Sequence, residues 1–394
     1  MKALLVANTD WYLYNFRRAL ARRLQQSGYD VTLVCPPGPY VDRLRNMGFT
    51  CELFDFPVDK LSLLKELRVL LGLVRLYRRE RPDIVHHFTI RCVLYGSIAA
   101  RIVGQIPTVN ALTGVGHVFT DAGLRARLFR RAVGFLYRHF LTNGRSHAVF
   151  QNKDDMKLFV EGAMADAARS HLIPSSGVDC SLFRRLRERN VPSGHTASVL
   201  FASRLIREKG VNEYLEAARM LRARGVPVRF LLAGDIYEQN PSSLRHSDLE
   251  AIRQEGLVDV LGHVDDIRAV LESTDVVVLP SYREGCPRIL VEAAAMGLPI
   301  VTTDVPGCRV VVEHGVNGFL VPPRDAGPLA NAIERLACDE GLRRRFGEAG
   351  RQRAIDHFEE SLVLENTLGV YDQLMESNPK ASYAMTHARL SGAD

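Results

Sequence analysis

Short β-rich runs alternate with stretches of helical periodicity along almost the whole chain, and this rhythm limits the fold more than any single motif. Strands separated by helical stretches are joined by crossovers, so they build parallel sheets covered by helices. In the first half the runs are Lys2–Ala7, Val31–Cys35, Cys51–Phe54, Ile84–His86, Pro107–Ala111, Ala148–Gln151 and Leu172–Pro174, with helical patterns such as Phe16–Gln26, Leu61–Arg79 and Arg91–Val103 between them. The rhythm stops at Pro174-Ser-Ser-Gly-Val-Asp and the mostly polar residues that run to Ala197. It restarts with Ser198–Ser203, Arg229–Gly234, Val260-Leu261, Val276–Pro280, Ile300–Thr303 and Phe319–Val321. The chain therefore reads as an α/β domain over residues 1–174, a linker over 175–197, a second α/β domain over 198–355, a closing helix over 356–376 and a loose tail over 377–394. A length of 394 residues suits two domains. Two open α/β sheets leave a crevice where the carboxyl ends of their strands converge, and ligands bind at such places.

Composition excludes several classes. Hydrophobic residues at 46% and charged residues at 24% are those of a folded globular chain. The apolar stretches Val69–Val74 and Cys92–Ala100 are far short of the roughly 20 residues a spanning helix needs. Asn8-Thr9-Asp10 interrupts the first apolar run before a signal-peptide core has formed. Seven scattered cysteines without a Cys-x-x-Cys pair argue against a disulfide framework or a structural zinc, and the expected compartment is the cytosol.

Charge divides the chain. Residues 1–190 carry 29 Lys and Arg against 16 Asp and Glu, whereas residues 191–394 carry 22 against 29. In Leu124–Phe140 a helical projection sets Arg127, Arg130, Arg131 and Arg138 opposite Leu128, Phe129, Ala132, Leu136 and Phe140. Leu61–Arg79 sets Leu61, Leu64, Leu67, Leu71 and Val74 against Lys60, Lys65, Arg68, Arg75, Arg78 and Arg79. Such helices either lie on an anionic membrane surface or turn their leucines to a core and their cations to water. No nucleic-acid-binding signature accompanies the charge, and no nucleic-acid partner is expected.

The segment Val276-Val-Val-Leu-Pro-Ser-Tyr-Arg-Glu284-Gly-Cys-Pro-Arg-Ile-Leu-Val-Glu292 runs from a buried strand through a loop into a helix that starts near Arg288 and ends at Gly297-Leu-Pro. A helix opening at a sheet's carboxyl edge offers free N–H groups and a dipole to a phosphate. Glu284 in the loop and Glu292 inside the helix can each accept hydrogen bonds from a vicinal diol. Arg204 and Lys209 follow the second domain's first strand and could neutralise a diphosphate without a metal. Gly234-Asp235 ends the next strand, and Gly262-His263-Val264 precedes a helix where backbone groups could read a nucleobase. Neither Gly-x-Gly-x-x-Gly nor Gly-x-x-x-x-Gly-Lys-Ser/Thr occurs, which weighs against NAD-dependent dehydrogenases and P-loop NTPases.

The Glu284-x7-Glu292 spacing, Arg204 with Lys209, and Glu313-His-Gly-Val-Asn-Gly-Phe-Leu-Val-Pro together resemble the retaining, nucleotide-sugar-dependent glycosyltransferases with two Rossmann-like domains, the GT-B architecture. Asn15-Phe-Arg, His87-Phe-Thr, Gly96-Ser-Ile-Ala-Ala-Arg, Leu112-Thr-Gly-Val-Gly-His-Val-Phe and Asn240-Pro-Ser are similar to bacterial enzymes that extend polyprenyl-diphosphate-linked glycans, such as N-acetylgalactosaminyltransferases of that kind. The resemblance implies two Rossmann-like domains facing a cleft, with a C-terminal helix crossing back to the first. It implies a UDP-sugar donor as co-substrate, no metal or other cofactor, a lipid-diphosphate-linked saccharide acceptor, and a peripheral place on the cytoplasmic face of the inner membrane.

By the same resemblance Glu292 would bind the ribose, while Glu284 and the loop amides of Gly285, Cys286 and Pro287 would hold the sugar. Arg204 and Lys209 would stabilise the departing diphosphate. Leu290, Gly234, Asp235 and Val264 would complete the donor site, and Cys286 and Arg288 would bear on donor choice. Asn8, Asp10, Asn15 and Thr113 would face the acceptor. Relatives commonly carry a donor-contacting His in the loop after the strand ending here at Ala111; Thr113 stands at that place and His117 four residues on. The Gly-Gly phosphate loop of relatives is replaced by Asn8–Asn15. Transfer would be a front-face substitution in which the leaving phosphate helps deprotonate the acceptor hydroxyl; an inverting route would need a base such as Asp10 or His117. A glycosyltransferase with a soluble acceptor is the main alternative, followed by a sugar-nucleotide epimerase and a non-catalytic basic binding protein.

Overall fold

The structure, a computed structural model, describes residues 1–56, 63–114, 134–141, 145–185, 195–238 and 240–376. It divides into two compact units, Met1–Ile173 with the chain from Val363, and Pro174–Leu362.

Among the described residues the first unit holds a seven-stranded parallel sheet. Its strands are β1 (Lys2–Val6), β2 (Asp30–Cys35), β3 (Thr50–Leu53), β4 (Ile84–Phe88), β5 (Thr108–Leu112), β6 (Ser146–Phe150) and β7 (Ser170–Leu172), in the order β3-β2-β1-β4-β5-β6-β7. Side chains alternate between the faces. Ala3, Leu5, Ile84 and Phe88 join a layer with Leu13, Leu20, Leu24 and Leu44. Leu4, Val6 and Val85 join the opposite layer with Leu73, Tyr77, Cys92 and Ala99. The last helix, Glu360–Glu376, belongs to the first layer, where Val363, Val370, Tyr371, Leu374 and Met375 are buried.

Two of the motifs in this unit form one buried polar network. His87 is fully buried, with Nδ1 2.8 Å from Asn110 Oδ1 and Nε2 2.8 Å from Tyr77 OH. Asn110 Oδ1 also accepts from Ser97 Oγ at 3.1 Å, and its amide donates to Ser146 Oγ at 2.8 Å. A Cβ on Gly96 would lie 2.1 Å from His87 Nε2, so only glycine leaves the imidazole its place. Burial pushes the His87 pKa down to about 4, against the opposing pull of the Asn110 hydrogen bond.

The helix Leu63–Glu80 overturns the projection drawn from sequence. Val69, Leu73, Leu76 and Tyr77 face the core, together with Val74. Leu64, Leu67 and Leu71 are 74%, 50% and 44% exposed, on the same side as the exposed Arg68, Arg75 and Arg78. The helix carries two apolar stripes, and the one bearing Tyr77, which reaches His87, takes the core. Of the second basic stretch, residues 115–133 lie outside the described residues; Phe135 is 56% exposed. Among the described residues no helix is long and apolar enough to cross a membrane.

The second unit holds, among the described residues, a six-stranded parallel sheet of β8 (Ala197–Ala202), β9 (Val228–Ala233), β10 (Val258–Gly262), β11 (Val276–Leu279), β12 (Ile300–Thr303) and β13 (Gly318–Val321), ordered β10-β9-β8-β11-β12-β13. Strands β8 and β11 are almost entirely apolar because both faces are covered, and β12 is buried along its whole length, with Thr302 and Thr303 following Ile300 and Val301. Val178 and Cys180, within the polar stretch between the two rhythms, are buried in this unit's core, and Val178 N donates to Phe358 O at 2.7 Å.

Candidate active site

Because the second sheet is parallel throughout, the carboxyl ends of β8, β9, β10, β11 and β12 share one edge. β8 and β11 are neighbours, which brings the segment after each to the other. Glu284 lies in the loop after β11, and its Oε1 takes both Lys209 Nζ, from the turn after β8, and Ser281 Oγ at 2.7 Å. The Lys209 and Glu284 side chains are 17% and 9% exposed, so the pair is well shielded from water.

The two segments are laced together beside the pair. Tyr282 N donates to Glu208 O at 2.9 Å, and Tyr282 OH to Glu213 Oε1 at 2.6 Å. Arg324 lies 4.7 Å from the Tyr282 ring centroid. From behind, a Cβ on Gly307 would stand 2.4 Å from Glu284 O and 2.6 Å from Gly285 O, so a glycine lets the next loop back this one. Sequence reasoning missed Tyr282, Glu213 and Gly307. Only the position of Tyr282 in the motif hinted at its part; Glu213 and Gly307 lie well outside it.

The helix Arg288–Ala295 starts directly after Pro287 and has no side-chain cap, which leaves its first N–H groups toward the edge. Arg288 Nε donates to Glu292 Oε1 at 2.8 Å, and Arg288 Nη1 to Ser176 Oγ at 2.8 Å and to Gly177 O. Burial raises the Glu292 pKa above the ordinary value, with Arg288 pulling it back. The Leu290 side chain is fully buried and anchors the helix to the core. Cys286 is held as a thiol, its pKa driven up by burial.

Arg204 is exposed and stacks over Tyr237, 5.1 Å from the ring centroid. Gly234 N donates to Gly262 O at 2.8 Å and Leu205 N to Asp235 O at 3.0 Å, drawing the ends of β8, β9 and β10 together with Val264 just beyond. The Asn240-Pro-Ser motif closes this corner: Ser242 Oγ, with one proton to share, lies 2.7 Å from Asn240 Oδ1 and 2.6 Å from Glu208 Oε2. Thus Glu284, Lys209, Arg204, Gly234, Asp235, Gly285, Cys286, Pro287, Glu292 and Val264 all belong to one edge of one sheet.

In the first unit Asn8 and Asp10 follow β1. Asp10 is 7% exposed, and its carboxylate accepts from Tyr40 N at 2.7 Å and Trp11 N at 2.9 Å, so it anchors the loop after β2. Asn15 Nδ2 donates to Trp11 O at 3.0 Å within the helix Asp10–Phe16, which stands where the sequence reads as the stretch replacing a loop, ahead of the helical pattern Phe16–Gln26. Thr113 is partly exposed just past β5, and His117 lies outside the described residues.

Two parallel Rossmann-like sheets, the second with carboxylates, cations and a helix start gathered at its carboxyl edge, fit the class of glycosyltransferases that the sequence resembles. Residues 183–353 match the family described as glycosyl transferases group 1, and residues 2–143 match the glycosyl transferase 4-like family; the chain belongs to this family of retaining glycosyltransferases. It is 27% identical over 93% of its length to 96% of N,N'-diacetylbacillosaminyl-diphospho-undecaprenol alpha-1,3-N-acetylgalactosaminyltransferase of Campylobacter jejuni. It is 26% identical over 81% of its length to 83% of an Escherichia coli UDP-Gal:alpha-D-GlcNAc-diphosphoundecaprenol alpha-1,3-galactosyltransferase. Among solved structures, Anabaena HepE in complex with UDP and glucose superposes with a TM-score of 0.74 at 20% identity, covering 94% of this chain and 99% of that one.

Proposed function

We propose that the protein transfers a hexose or N-acetylhexosamine from a UDP-sugar, with retention, to a saccharide carried on a lipid diphosphate, as a step in cell-surface glycan assembly. The observation that carries this reading is the Lys209–Glu284 pair beside the start of the helix Arg288–Ala295. Without ligand each neutralises the other. A diphosphate competes for Lys209 with help from Arg204 and the helix start, and sugar hydroxyls compete for Glu284 with the amides of Gly285 to Pro287. Glu292, held by Arg288, takes the ribose diol. Two fixed cations at the leaving group supply its charge stabilisation, so no metal is required.

The lipid-linked acceptor is supported by the relatives named above and by the helix Leu63–Glu80, whose exposed leucines and arginines suit the interface of an anionic bilayer. The protein would then work at the cytoplasmic face of the inner membrane, with the first unit receiving the acceptor.

The test is UDP release from a panel of UDP-sugars, with and without a polyprenyl-diphosphate-linked monosaccharide and with EDTA. Release from one donor that depends on the lipid-linked acceptor and is insensitive to EDTA is the expected result. Release driven equally by soluble sugar phosphates would move the acceptor to the soluble class. No release and no UDP binding would overturn the reading.

A further inference from the structure

Arg17 closes the Asn15-Phe-Arg motif, and no role described above uses it. It breaks the chain between the helices Asp10–Phe16 and Arg18–Gln26 and is 7% exposed. Its guanidinium lies 4.4 Å from the Phe88 ring centroid and 5.3 Å from that of Tyr12, and Nε and Nη2 both donate to Tyr12 OH at 3.2 and 2.7 Å. Among the described residues it meets no carboxylate; Asp10, the nearest acidic residue along the chain, is engaged by the amides of Tyr40 and Trp11. A buried guanidinium held only by aromatic faces and one phenol is costly, and such a charge is normally paired.

Its surroundings do not compensate the charge. His86, tilted against Phe88 with ring centroids 4.1 Å apart, has Nδ1 2.9 Å from Tyr371 OH, and its buried Nε2 has no partner among the described residues. Burial first, then the Arg17 charge, holds His86 well below its ordinary pKa. Arg17 thus stands among neutral groups.

Its place in the sheet is a binding place. β1 pairs with β2 on one side and β4 on the other, so the strand order reverses between β1 and β4, and ligands of open α/β sheets bind outside the carboxyl ends at that reversal. Phe88 is the last residue of β4. The next residue, Thr89, has φ +72° and ψ 152°, a backbone region otherwise left to glycine. Thr89 starts the 15-residue helix Ile90–Gly104 without a side-chain cap, so that helix's positive end opens at the same reversal.

We propose that Arg17 is the cation of an anion subsite at the β1/β4 reversal of the first unit, taking a phosphoryl group of the acceptor. This rests on the first unit being the acceptor-binding one. The chemistry is that of a phosphate ester or diphosphate, whose source is either a lipid-linked diphosphate or a soluble sugar phosphate.

The test is titration calorimetry on the full chain in saturating UDP, which fills the donor edge, with farnesyl diphosphate in one arm and glucose 1-phosphate in the other, for wild type, Arg17→Met and Arg17→Lys. The wild type binds at least one probe; Arg17→Met weakens it about tenfold or more. Arg17→Lys weakens it less, because it keeps the charge and loses the planar fork. The apo melting temperature of Arg17→Met is no lower than that of wild type, because an unpaired buried charge has been removed. Preference for farnesyl diphosphate assigns the lipid source, and preference for glucose 1-phosphate the soluble one; either supports the subsite. Wild-type affinity in Arg17→Met together with a lower melting temperature makes Arg17 a structural clamp and overturns the proposal, as does binding of neither probe by wild type. Should Arg17→Met fail to fold, undiminished binding by Arg17→Lys overturns it. The probes also report without UDP: a chain that binds no UDP but holds farnesyl diphosphate through Arg17 contradicts the donor reading and leaves this one standing.

Discussion

Lys209 and Glu284 form an ion pair across 75 residues of chain. The pairing of β8 with β11 makes them neighbours, and Ser281 fixes the carboxylate from its other side. A shielded pair of this kind is a poor source of stability, because the desolvation of both charges offsets their attraction. On the proposed function, its value lies in holding a cation and a carboxylate ready where a glycosyl diphosphate would split.

Glu284→Gln keeps the shape of the loop and removes the charge. Turnover should fall about 100-fold or more while UDP affinity stays within a few-fold of wild type. Steady-state kinetics and UDP titration on the same preparation check this; wild-type turnover would remove Glu284 from the site.

With Glu292 in the role proposed for it, donor binding should depend on pH. Burial raises its pKa above the ordinary carboxyl value, so on acidification it takes up a proton before an exposed glutamate does. An ionised carboxylate is the better acceptor for a diol, so UDP-sugar affinity should fall as the pH drops through that raised value. Glu292→Gln should bind about tenfold more weakly at neutral pH and lose this dependence. Affinities measured from pH 8 to 5 with a UDP-sugar, whose diphosphate does not titrate there, decide it.

How far all this could be read from sequence depended on range. The run Val276–Leu279 is apolar because both faces are covered, and Ile300–Thr303 is β-branched throughout, so the sheets were visible without coordinates, as was the edge that carries Glu284, Lys209 and Glu292. The helix Leu63–Glu80 was misread because it bears two apolar stripes and periodicity cannot tell which one a neighbouring helix will cover. Asp10 looked like a candidate base, but its amide partners come from Trp11 and, far along the chain, Tyr40. His87-Phe-Thr and Gly96-Ser stood out as motifs, yet His87, Gly96 and Ser97 belong to a packed polar network that pairing of β4 with β5 assembles. Gly307 gave no signal, since its meaning lies in a contact with Glu284 that no spacing encodes.

His87 makes a stability prediction of definite sign. Its folded pKa of about 4 lies below the ordinary 6.5, so the unfolded chain binds the extra proton first. The stabilisation is complete above pH 6.5 and is lost as the pH falls from there toward 4, by about 3 kcal/mol for this group. Denaturant unfolding across that range should show the fall, and His87→Gln, though less stable at pH 7, should show a shallower one.

The outward face of the helix Leu63–Glu80 predicts vesicle binding. The wild type should sediment with vesicles containing anionic lipid and be released by salt. Replacing Leu64, Leu67 and Leu71 together by Ser should weaken binding about tenfold or more while leaving UDP affinity unchanged, because these side chains pack against nothing in the core. Equal sedimentation of the triple variant would assign binding to charge alone.

The stereochemistry of transfer bears most directly on the role given to Glu284 and Lys209. Proton NMR of the product formed from an α-linked UDP-sugar and a lipid-diphosphate-linked monosaccharide should show an α-glycoside, with the donor configuration kept. A β-glycoside would mean that the acceptor hydroxyl, its proton taken by a base, attacks from the face opposite the leaving diphosphate, and the front-face site built around Glu284 and Lys209 would be wrong.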